Sequence, residues 1–365
     1  MLFLGQAANY HASDIIRHIL AFGTKKDSEK LRQYLASRYA TPPNKVTLYH
    51  NGRSALATAI KATTPTKGAV LVNGFTCYAV FEAVRAANCT PIFADITPKT
   101  LHYDDKELEK QLKLHPDLKT IIIQNSLGIP VDIAKLEKIA KKHQLNIIED
   151  MAHCAGIKYL DGREAGTIGD AAVFSFGKGK SIDTISGGAL VLRKDTPSVK
   201  RPHYKPSFSD TLRDRWYPFF GACMRGAHHI KCQKIITGIL LKFHWIERSA
   251  DAKLSTKTRL THWQAKLALH QFEKIPSRGK KPIRQYFLVK NRDEVLQKLK
   301  KQGFFFDEIW YDRPVSPIRY YKKVNFPEKD CPNAVEITDS IINIPTFYSK
   351  KTLEPAIKII KEYIK

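Results

Sequence analysis

The chain has 365 residues, 43% of them hydrophobic and 26% charged, the balance of an ordinary globular protein with room for a sizeable core. Lys and Arg number 60 against 35 acids, a formal charge of +25 that favours anionic partners such as nucleotide phosphates. The basic residues are spread along the whole chain, which argues against a dedicated nucleic-acid arm, so no nucleic-acid partner is expected. The six cysteines lack paired metal-ligand spacing and read as reduced thiols, with no metal site implied. Residues 1–20 lack the pattern of a cleaved signal, and no run approaches the roughly 18 consecutive apolar residues of a spanning helix. A cytoplasmic protein, soluble or peripheral, is the expectation.

Residues 1–45 read as an N-terminal helical segment, with Leu31, Tyr34 and Leu35 on one side of a helix over 28–39. At 46–49 the pattern changes to a strand, followed by His50-Asn51-Gly52-Arg53-Ser54 and a helix through residue 62. Such a strand, turn and helix presents backbone N–H groups to an anion. An ordinary N-cap at Ser54 is the plainer alternative. Strands at 70–73, 90–94 and 120–124 then alternate with helices at 78–88, 106–114 and 133–142. That alternation predicts an α/β fold with a mostly parallel sheet between helices.

The richest stretch is 147–188. A strand with Ile147 and Ile148 ends in Glu149 and Asp150, and open α/β sheets bind ligands at strand carboxyl ends. His153 follows, then a strand at 171–176 that contains Ser175 and leads into Gly177-Lys178-Gly179-Lys180. A carboxylate at one strand end and a lysine past another are the two groups a pyridoxal 5'-phosphate (PLP) enzyme needs, one for the pyridinium nitrogen and one for the Schiff base. Taken singly, Asp150 also reads as a helix cap, His153 as a half-buried histidine, and Lys178 and Lys180 as solvated charges. Their joint spacing favours the cofactor site, and the choice between Lys178 and Lys180 rests on a family resemblance.

The set Glu149-Asp150-x-Ala152-His153, Gly169-Asp170, Phe174-Ser175-Phe176, Lys180 and Gly187-Gly188 resembles the DegT/StrS family of PLP-dependent sugar aminotransferases. The resemblance implies PLP-dependent transferase fold type I, with a seven-stranded-type sheet in a large domain at 46–275 and a small C-terminal α+β domain at 276–365. It implies Lys180 as the Schiff-base lysine, Asp150 as partner of the pyridine nitrogen and His153 beside them. Ser175, Gly52, Arg53 and Ser54 would serve the phosphate. Cys77 and Tyr78 stand where the family often carries a ring-stacking aromatic, which leaves the stacking partner open, and Asn125 would lie near the phenolic oxygen. Lys257 stands where the family often has an asparagine that reaches the partner subunit's phosphate, so a homodimer with shared active sites is implied. The implied reaction moves an amino group from an amino acid such as glutamate to a nucleotide-linked keto sugar, as in polysaccharide biosynthesis. A non-catalytic regulator and a membrane-associated PLP enzyme with another acceptor are the alternatives.

Residues 200–250 fit the pattern least, being apolar and aromatic with Arg225, Lys231, Lys234, Lys242 and Arg248 interspersed. Two fates suit such a composition: helices lying on an anionic membrane, or apolar faces buried against the main body or a second subunit, the commoner outcome.

Overall fold

The computed structural model describes residues 2–4, 10–193, 199–230, 232–278, 282–306 and 309–365. Lys231, noted above, lies outside them. Seven short runs rich in branched residues pair into one sheet: β1 (Val46–Tyr49), β2 (Ala69–Asn73), β3 (Thr90–Ala94), β4 (Leu118–Gln124), β5 (Asn146–Asp150), β6 (Ala171–Ser175) and β7 (Gly188–Leu192). Their spatial order is β1-β7-β6-β5-β4-β2-β3. β7 runs antiparallel to both of its neighbours, and every other pairing is parallel.

Both faces of the sheet are covered, which is why β1, β2 and β7 are buried throughout and none of the strands alternates regularly. On one face Leu31 and Leu35 of α2 (Lys25–Arg38) pack with Phe272 of α6 (His262–Arg278). On the other, Leu56 and Ile60 of α3 (Gly52–Thr63) join Val80 and Val84. The second unit pairs β8 (Arg284–Leu288) antiparallel with β9 (Ile341–Pro345) around Val295, Leu299, Ile344 and Ile360.

Residues 1–45 divide between these units. Leu2–Phe3 pairs in parallel with Phe304–Phe305 of the second unit, whereas α2 belongs to the sheet core. Residues 304–311 read from the sequence as a strand; among the described residues it stops at Phe305, and Tyr311 takes a left-handed φ of 64° in a turn.

Within 200–250 the described residues form α4 (Phe208–His229) and α5 (Gln233–Lys242), and α4 packs against α1 (Ala12–Ile19). Tyr217, Met224, Leu240 and Ile246 bury one side of this pair against Ile185. The main body therefore takes up one apolar face of the segment, and the opposite face stays outside. No helix among the described residues is long and apolar enough to cross a membrane.

Candidate active site

The carboxyl ends of β4, β5 and β6 open into a cavity with about 1150 Å³ of empty space, counted out to its mouth. The acidic pair at the end of β5 splits in two because successive strand residues point to opposite faces. Glu149 turns inward, fully buried, and accepts from Tyr159 Oη (2.8 Å), from the N–H groups of Gly166 (2.8 Å), Ile168 (2.8 Å) and Gly169 (2.7 Å), and from Arg193 (3.0 Å). Asp150 turns to the cavity, accepting from Gln124 Nε2 and the Ala152 N–H, each at 3.1 Å. Burial pushes its carboxyl above the usual range, and the hydrogen bonds from the Ala152 N–H and Gln124 pull the other way.

Lys180 lines the same cavity, and its Nζ lies 2.8 Å from His153 Nε2. The other ring nitrogen of His153 accepts the Leu127 N–H at 3.1 Å. A neutral imidazole with Nδ1 occupied as acceptor carries its proton on Nε2, so this network assigns His153 as donor and the Lys180 amine as acceptor. Burial, with the Arg284 charge acting in the same direction, holds the His153 pKa well below its ordinary value, in keeping with a neutral ring. Trp310 stacks on His153 at 5.2 Å between centroids, and Lys180 Nζ stands 4.9 Å from the Trp310 ring centre. The loop bearing the lysine is fixed by Asp183, which accepts from the Gly179 N–H (2.8 Å) and Tyr10 Oη (2.9 Å).

Lys178, the second lysine of the loop, is not a solvated charge. It is buried in the wall of the same cavity, donates to the Glu247 carbonyl and lies 4.1 Å above the Tyr217 ring. Burial pushes its pKa down to about 8, against the opposing effect of Asp214 and Glu247.

At the opposite wall α3 points its N-terminus into the cavity. Asn51 caps it by accepting the Ser54 N–H at 2.9 Å, and Gly52 and Arg53 line the space. A Cβ on Gly52 would come within 2.7 Å of Ser175 Cβ, so only glycine allows this approach. The Ser175 hydroxyl has no protein partner among the described residues.

Several expected side chains turn elsewhere. Arg53 contributes backbone only, since its guanidinium pairs with Glu82 and donates to the carbonyls of Ala250 (3.0 Å) and Ala252 (2.7 Å). Ser54 is outside the cavity lining, its hydroxyl donating to Asn51 (2.8 Å) and accepting from the Ser255 N–H (2.9 Å). Cys77 reaches the wall, but Tyr78, one helical step or roughly 100° further round, stacks on Tyr320 at 4.3 Å and leaves the site. Asn125 borders the cavity while serving its loop, accepting from the Val131 N–H at 3.1 Å. Lys257 is exposed and outside the cavity of its own chain.

Other contributors were not singled out from the sequence. Gln124 had a signal, since it ends β4 in register with Asp150. Tyr311 of the second unit, which stacks on Phe75 at 4.0 Å, and Arg213, Asp214 and Tyr217 of α4 had none, because only tertiary packing brings them to the wall.

The sheet order, the antiparallel β7 and a lysine and carboxylate opening on one cavity at the strand ends define the fold type I class of aminotransferase-like α/β proteins. More narrowly, residues 24–285 match the model of the DegT/DnrJ/EryC1/StrS aminotransferase family, and the chain belongs to that family. It is 31% identical over 173 residues to GDP-perosamine synthase of Caulobacter vibrioides, covering 47% of this chain and 46% of that one. It thus spans about half the length of such relatives. A longer match, 25% identical over 81% of this chain and 78% of the other, is to a pleiotropic regulatory protein of Geobacillus stearothermophilus. Among solved structures, Helicobacter pylori PseC, an aminotransferase involved in pseudoaminic acid biosynthesis, superposes with a TM-score of 0.67 at 17% identity, covering 100% and 99% of the two chains.

The residues present fit PLP. A half-buried carboxylate, a lysine amine, a serine hydroxyl with no partner among the described residues and a helix N-terminus with no Cβ at its first residue surround one space.

Proposed function

We propose that the protein is a PLP-dependent aminotransferase that moves an amino group from an amino acid, glutamate by expectation, to a keto sugar carried on a nucleotide diphosphate. The observation that carries this reading is the convergence of Lys180 Nζ and the Asp150 carboxylate on one cavity, with His153 beside the amine. The relatives named for perosamine synthesis support the sugar class.

When bound, PLP supplies a ring into which negative charge at the donor's α-carbon can spread. Lys180 would anchor it, and Asp150, fixed by Gln124 and the Ala152 N–H, would keep a proton on the pyridine nitrogen. The α3 N-terminus and Ser175 would take the phosphate. Lys180 Nζ, held 2.8 Å from His153 Nε2, would be the base that carries a proton from the donor once its lone pair is released from that contact. Trp310 and Tyr311 cover His153 and hold its ring in place.

The reading includes a homodimer. Lys257, exposed on a loop outside its own cavity, would meet the phosphate end of the neighbouring subunit's site as a flexible point charge.

The test uses the purified protein incubated with PLP. The wild type should acquire the visible absorbance of protein-bound PLP and aminate one of a panel of keto sugar nucleotides with glutamate. Lys180→Ala should lose both the covalent cofactor and turnover. Full activity in Lys180→Ala, or no cofactor uptake by the wild type, would overturn the proposal.

A further inference from the structure

The helices that wall the cavity carry a second face that the site does not use. On α4, Phe208, Leu212, Trp216 and Phe219 recur every three or four residues and are 82%, 45%, 37% and 41% exposed. On α5, Ile235 and Ile239 and then Phe243 continue at four-residue steps, 65%, 46% and 60% exposed. Ring contacts join the two stripes through Phe219 and Phe220 (5.8 Å), Phe220 and Trp245 (5.7 Å, stacked) and Trp245 and Phe243 (6.1 Å). The exposed apolar side chains are therefore one continuous patch, the kind that marks an interaction surface.

Charge selects the occupant. Residues 201–250 hold nine Lys and Arg and only three acids. Those acids, Asp210, Asp214 and Glu247, all gather on Arg213, at 2.9, 3.7 and 3.4 Å. The exposed Lys205, Lys234, Lys242 and Arg248 are left without a balancing carboxylate from this segment. A two-fold contact between copies would set this cationic rim against itself in a chain of +25. A surface of anionic lipid headgroups neutralises the rim and accepts the apolar stripe, as for helices lying in an interface.

We propose that the outer face of α4 and α5 docks on an anionic bilayer surface. Because Arg213, Asp214 and Tyr217 of α4 line the cavity from the other side of the same helix, docking brings the site next to the membrane. The inference is independent of which acceptor the site uses.

The test is co-sedimentation of the full chain with vesicles of phosphatidylcholine alone and of phosphatidylcholine with about a third phosphatidylglycerol, near physiological salt. Binding should be about tenfold or more stronger to the anionic vesicles. Tryptophan emission should shift to the blue on binding, since Trp216 and Trp245 are 37% and 53% exposed whereas Trp263 and Trp310 are already buried. The triple change Phe208→Ser, Ile235→Ser, Phe243→Ser should weaken binding about tenfold with elution volume and PLP uptake unchanged. Lys234→Glu with Lys242→Glu, which leaves the apolar packing intact, should weaken it comparably. Absence of binding by the wild type, or equal binding to both vesicles, would overturn the proposal. So would a wild-type dimer that ignores vesicles and that the triple change splits into monomers, which would assign the face to a second copy.

Discussion

At the scale of single residues, the site depends on how two neighbours with the same chemistry are used. Glu149 and Asp150 are both acids at one strand end, yet one fastens the 159–169 loop and Arg193 while the other faces the cavity. Asp150→Asn keeps the shape but removes the charge, and turnover should fall about a hundredfold or more with protein stability little changed, checked by steady-state kinetics and thermal unfolding. Lys178 gives a pH signature. Its folded pKa of about 8 lies below the ordinary lysine value of 10.5, so between those values the unfolded chain binds more protons and stability rises with pH. Denaturant unfolding from pH 7 to 11 should show that rise in the wild type, and Lys178→Met should flatten it. The family resemblance ranked Lys180 over Lys178, but that Lys178 is buried could not be read from the sequence, since Tyr217 and Glu247 come from a distant segment.

At the scale of elements, the turn from β1 into α3 fixes how closely backbone approaches Ser175. Gly52→Ala would place a methyl 2.7 Å from Ser175 Cβ and 2.9 Å from its Cα, where backbone cannot yield cheaply. The expected result is a loss of about 1–3 kcal/mol in stability together with weaker PLP binding, read by denaturant titration and by cofactor titration. The strand and helix pattern of 46–176 was legible in order and type, because buried parallel strands are unmixed apolar runs between capped helices, whereas the antiparallel β7 was not read. The expected strand past Phe305 was not found. Trp310 and Tyr311 are apolar enough to read as strand, but they turn to cover His153 and Phe75, a contact between units that local pattern does not encode.

At the scale of the whole molecule, the charge of +25 acts at a distance from any one contact. Raising salt from about 50 to about 300 mM should raise KM for a diphosphate-bearing acceptor several-fold and leave kcat nearly constant, since screening weakens encounter more than a buried reaction. A salt-independent KM would show that the excess charge does not steer this substrate. By itself the sequence determined the α/β class, the order of the strands through residue 175 and the position of Asp150, His153, Ser175 and Lys180 at strand ends and in the loops beyond them. These lie close together in the chain, where strand ends and loop spacing govern position. Only the tertiary structure decided that Tyr78 and Ser54 turn away, that Tyr311 and Tyr217 enter the wall, and that α4 and α5 keep an uncovered apolar face. Those outcomes depend on which surfaces meet across long separations, and burial of one face leaves no trace in the spacing of the other.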